Sequence, residues 1–159
     1  MALNKQPIFT STPVLVSKTT DVQKYQGNIH NPDAQDSISP AGPTEVFTAT
    51  DSYGTLIERI TVSGCGSIDS SQISEKYIYL FIYYPTDTKW ALYKSAYIPS
   101  TTISLPTLNP EIEWTFTGGL LLPNGYKIGI GASENVTNTG RAGDYLAITI
   151  EGSSYTQPA

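Results

Sequence analysis

Residues 75–85, EKYIYLFIYYP, constrain the fold more than any other stretch. Successive side chains of a strand point to opposite faces. An extended chain therefore places Ile78, Leu80 and Ile82 on one face and Tyr77, Tyr79, Phe81 and Tyr83 on the other. With apolar character on both faces, this segment reads as a central strand. One face belongs in the core, and the aromatic face calls for cover from an arm or a neighbouring subunit. The tight turn TDTK (86–89) makes 75–85 and 90–98 a hairpin. In 90–98, Trp90, Leu92, Ala96 and Ile98 alternate with Tyr93, Ser95 and Tyr97.

The same period of two recurs along the chain. Segment 44–49 runs into the turn TDSYG. Segment 55–64 sets Leu56, Ile60 and Val62 against Arg59 and Thr61, and 111–119 sets Ile112, Trp114 and Phe116 against Glu111, Glu113 and Thr115. Segment 125–133 faces Tyr126, Ile128 and Ile130 inward, and 144–152 does the same with Leu146, Ile148 and Ile150. Residues 65–74 and 134–143 read as loops, and 99–110 as a long connection crossing between sheets. Strands at roughly ten-residue spacing, with no helical pattern, predict an all-β fold. The expected architecture is a jelly-roll-like β-sandwich of about 7–8 antiparallel strands with an extended N-terminal arm.

The stretch TGGLLLPNGYKIGIG (117–131) could be taken for a phosphate loop, but such a loop needs a helix after its glycines. Here a Pro-Asn-Gly turn and another strand come next, so the glycines are punctuation. Three leucines beside a turn are also too little area for membrane anchoring. Gly129 and Gly131 remove side chains from the outer face of their strand, where another backbone can approach. They are therefore contact candidates, with Gly131→Arg expected to impair assembly more than folding.

Residues 1–43 differ from the rest of the chain. The stretch 32–43, PDAQDSISPAGP, has too little apolar content to pack and reads as a linker. Segment 7–19 is apolar and β-prone but broken by Pro7 and Pro13. It suits an edge strand or an arm that orders on a partner, and the arm is preferred. Ile8, Phe9, Val14, Leu15 and Val16 would be its contact residues. The expected organisation is an arm and linker over 1–43, the sandwich over 44–152, and a loose tail over 153–159.

Composition bounds the function. The 159-residue chain has 39% hydrophobic and only 14% charged residues, with 11 Tyr and a mean hydropathy of −0.17. Nine basic residues against 14 acidic ones, and a net charge of −5, oppose nucleic-acid binding. No apolar run approaches a membrane span. The lone cysteine, Cys65, excludes an internal disulfide framework. The N-terminus lacks a signal-peptide pattern, so synthesis and folding in a cytoplasm are expected.

Catalytic candidates are few. His30 is the one histidine and lies in the linker-like segment, where a surface-loop reading outweighs a general base. Asn31, Asp33 and Asp36 do not follow a calcium-loop pattern. Cys65 in SGCGS lacks the G-x-S-x-G spacing of a nucleophile elbow. Glu111 and Glu113 could mimic a glycosidase pair, but Thr115 continues their outward stripe. Asn135-Val136-Thr137 matches a glycosylation sequon by chance. No catalytic residue, metal or cofactor is expected. The enriched class is aromatic, and the row Tyr77, Tyr79, Phe81, Tyr83 suits core or inter-subunit packing ahead of a glycan platform.

The run from Leu56 to Glu151 resembles small bacteriophage virion proteins. The likeness rests on IERITVSGCG, YLFIYYPTDTKWALYKSAYIP, EWTFTGGLLLPNGYKIGIGAS and GDYLAITIEG, and GGLLLPNGYKIG is its most specific piece. The resemblance implies a capsid decoration (cement) protein on the virion surface, bound to the major capsid protein and assembled as a homotrimer. The alternative is a carbohydrate- or receptor-binding module of a tail or head fibre.

Overall fold

A computed structural model of the chain describes residues 10–20, 43–65, 72–73, 75–102, 110–133 and 145–156. They form ten strands: β1 (Thr10–Thr20), β2 (Thr44–Thr48), β3 (Thr55–Cys65), β4 (Gln72–Ile73), β5 (Lys76–Tyr84), β6 (Lys89–Ile98), β7 (Thr101–Thr102), β8 (Glu111–Leu122), β9 (Lys127–Ala132) and β10 (Tyr145–Thr156). Eight of them build two four-stranded antiparallel sheets, ordered β1-β10-β3-β8 and β2-β9-β5-β6, while β4 and β7 form a short pair. Only the β5–β6 hairpin joins neighbours within one sheet. Every other step along these eight strands changes sheet.

The inward positions of both sheets meet in one apolar cluster. Ile60, Val62, Ile112, Trp114, Ile148 and Ile150 come from the first sheet, and Ile78, Leu80, Ile82, Ile128 and Ile130 from the second. Burying each such side chain is worth about 1.5–3 kcal/mol. That burial offsets the chain entropy with no disulfide to help. The all-β sandwich read from the alternation is the architecture of the molecule.

Two expectations about the termini are corrected. Segment 10–20 is not a free arm: it pairs along its whole length with β10, from Thr10↔Thr156 to Thr20↔Leu146. The strand β10 offers an unpaired edge, and Pro13 is tolerated on an edge strand because its missing N–H can face outward. The C-terminal end is likewise not loose from 153, since Ser153–Thr156 extend β10 and Ser154 is buried. The sandwich thus begins at its N-terminal strand rather than at residue 44.

Two bulges change which side chains face the core. In β3 the register with β8 slips between Ile57 and Arg59, and β10 slips opposite the same place. Ile57 therefore turns inward and Leu56 outward, the reverse of strict alternation. Glycines make room: a Cβ on Gly119 would collide with the Leu56 side chain, and one on Gly152 with the Leu56 carbonyl. In β6 a second slip opposite Leu80/Phe81 leaves Tyr93 as the extra residue. Trp90 and Leu92 thereby fall opposite Tyr83 and Phe81, while Ala96 and Ile98 fall on the core side.

Candidate functional site

The outer face of the second sheet carries the aromatic row. It is graded rather than uniform: Tyr77 is 52% exposed, Tyr79 and Tyr83 are half-buried, and Phe81 is fully buried. Phe81 lies outside the inter-sheet core cluster, so a second apolar layer sits on this face. Part of the cover comes from the chain itself. A Cβ built on Gly129 would meet the Trp90 ring at 2.7 Å and Pro43 at 2.8 Å. Tyr83 packs against Trp90 at 5.3 Å between ring centroids, and the Lys127 ammonium lies 5.6 Å from the Tyr83 ring centre.

This placement corrects part of the contact set expected from sequence. Phe81, Gly129 and Gly131 are buried within one chain and present no surface to a partner. At Gly129 the missing side chain admits the chain's own indole, not a foreign backbone. Of the N-terminal candidates, Val16 packs against the core, Val14 is half-buried and Leu15 is 71% exposed. Ile8 and Phe9 lie outside the described residues, as do His30, Asn31, Asp33, Asp36 and the sequon at Asn135.

At the open end of the aromatic face, Glu75, Lys76, Tyr77, Tyr97 and Ser133 line a cleft of about 400 Å³. Tyr77 and Tyr97 are cross-strand partners with ring centroids 5.2 Å apart and planes inclined by 52°. The Tyr97 hydroxyl donates to Glu75 Oε2 at 2.7 Å. This bond to a carboxylate holds the phenol above its ordinary pKa, so Tyr97 remains a neutral donor. Ser133 and Tyr77 are bonded twice, Tyr77 N–H to Ser133 Oγ and Ser133 N–H to the Tyr77 carbonyl, each at 2.9 Å.

Sequence reasoning missed this cleft for a definite reason. An unbulged hairpin from the turn at 85–88 would pair Tyr77 with Ala96 and turn Tyr97 toward the core. The extra residue at Tyr93 moves the register by one and places Tyr97 opposite Tyr77 on the outer face. No residue pattern in 89–98 marks the bulge.

The outer face of the first sheet is of another kind. Arg59 donates through Nε to Glu151 at 2.7 Å and lies 3.6 Å from Glu113, and Ser63 donates to Glu111 at 3.2 Å. Glu111 and Glu113 belong to this cross-strand network, as the solvated-stripe reading expected. Among the described residues no group of three or more His, Cys, Asp or Glu is placed to hold a metal, and no helix is long and apolar enough to cross a membrane. Comparison with protein-family models, curated proteins and solved structures found no match to this chain, so its site is known from its own geometry alone.

Proposed function

We propose that the chain is a bacteriophage virion structural protein, a capsid decoration (cement) protein. It binds the major capsid protein on the outer shell as a homotrimer and stabilises the particle without catalysing a reaction. The observation that carries this reading is the strand order. With the first strand beside the last, and sheets β1-β10-β3-β8 and β2-β9-β5-β6, we read the wrapping as a jelly roll. Jelly rolls recur in viral capsid and lectin domains. A fold alone assigns no function, and the resemblance of Leu56 to Glu151 to virion proteins supplies the second support. The protein is made in the host cytoplasm and resides on the capsid surface.

Because 10–20 is a strand of the sandwich, contact falls to what that edge exposes, with Leu15 its most exposed large apolar residue. Purified virions should contain the protein at a fixed copy number. Added to undecorated shells, it should bind, raise their disruption temperature, and bind less well as Leu15→Ser. Its absence from purified virions, or shells indifferent to it, would remove the proposal.

A further inference from the structure

We propose that the cleft between Tyr77 and Tyr97 is a binding site for a neutral saccharide. The inference goes beyond capsid decoration and does not depend on it. Two half-exposed tyrosines stand as cross-strand partners with planes inclined by 52°, which leaves a V of aromatic surface rather than a closed stack. One wall of the V can take the apolar C–H face of a pyranose while the other meets its edge. Aromatic side chains with a polar tip suit such a ligand, apolar on one face and hydroxylated at its rim.

The polar groups around the V are arranged for hydroxyls. Glu75 uses Oε2 to hold Tyr97, and its Oε1 has no hydrogen-bond partner among the described residues. The Ser133 oxygen accepts from the Tyr77 N–H, which leaves the serine hydroxyl hydrogen to donate. The Tyr77 hydroxyl is also without a partner among the described residues. The cleft therefore offers a carboxylate acceptor and hydroxyl donors beside an apolar surface, the pairing that vicinal sugar hydroxyls require. Small-molecule sites combine apolar walls with a few placed polar groups in roughly this way, at about 300–1,000 Å³.

Charge separates a neutral sugar from the nearest competitor. Tyrosines beside a carboxylate would also attract an organic cation. Here the Glu75 carboxylate is exposed, so solvent screens its charge, and its Oε2 already accepts from the Tyr97 hydroxyl. A screened and partly satisfied carboxylate gives a bare cation little to gain, and choline in the titration below decides between the two.

The test is an NMR titration of the full chain with methyl glycosides of glucose, galactose, mannose and N-acetylglucosamine, following the Tyr77 and Tyr97 ring signals. At least one glycoside should give saturable shifts, with Kd on the order of 1–10 mM. Tyr77→Ala and Tyr97→Ala should each weaken it about tenfold or more. Glu75→Gln, which keeps an acceptor but no charge, should weaken it less. Leu121→Ala, at an exposed residue of the other sheet, should leave it unchanged and serves as the folding control. Silence from all four glycosides, shifts that survive both tyrosine substitutions, or stronger shifts with choline would each overturn the proposal.

Discussion

The two outer faces of the sandwich are built on the same strand geometry and do opposite things. On the first sheet, Arg59, Glu113 and Glu151 form an open charge network whose side chains are 36–46% exposed. On the second, the outward residues bury Phe81 completely and seat Trp90 over Gly129. Exposed ion pairs contribute little, because water already solvates both partners and salt screens them. A buried ring displaces water over its whole surface. The charged face therefore contributes solubility, while the aromatic face works as a partial second core that fades into the Tyr77/Tyr97 cleft. A strand's outward residues are thus not interchangeable with its surface residues.

The sharpest way to break this contrast is to attack the second layer. Phe81→Ala should cost about 3–5 kcal/mol in chemical denaturation, the loss expected for a core ring. A cost near that of a surface substitution would show the layer to be dispensable. Gly131→Arg should act in the same way, impairing folding rather than assembly, because Gly131 is buried within its own chain. Gly129→Ala should cost about 1–3 kcal/mol, since its Cβ must displace the Trp90 ring and Pro43. Tryptophan fluorescence should report the displaced indole.

The Glu45–Lys127 pair at the margin of the aromatic sheet sharpens the comparison through pH. The bonds Glu45 accepts from Lys127 and Thr48 hold its carboxyl below its ordinary pKa of 4.5. A depressed carboxylate stabilises the fold above its unfolded pKa, and that contribution is lost as pH falls through the lower folded value. In Glu45→Gln the acid-sensitive part of stability should shrink by less than about 1 kcal/mol, because the pair is partly exposed. The smallest effect belongs to the charged face. Arg59→Ala should leave the melting temperature nearly unmoved, and less so in low salt. A large loss there would mean that the network is structural after all.

Much of this was legible in the residues because the side-chain period of a strand is short and strict. Ile78, Leu80 and Ile82, then Ile112, Trp114 and Phe116, then Ile128 and Ile130, all lie where alternation places them. Alternation fails where one residue is added: at Val46 in β2, at Glu58, which exchanges Leu56 for Ile57 in the core, and at Tyr93, which brings Tyr97 beside Tyr77. A bulge is decided by the partner strand and by what space glycines leave, so it is invisible in a single strand read alone. Segment 10–20 shows the same limit. Its residues suit an edge strand or an arm, with the arm preferred, and the free flank of β10, distant in sequence, decides for the edge strand.

That pairing of β1 with β10 has a consequence in time. β1 is made well before its partner β10, so the first sheet cannot close until β10 has left the ribosome. At ordinary elongation rates β1 waits on the order of ten seconds for its neighbour, and its contacts are among the most non-local the chain can make. For that interval an apolar, β-prone strand is exposed in a crowded cell. Pro13 within it, unable to donate a ladder hydrogen bond, is suited to discourage wrong partners until β10 arrives.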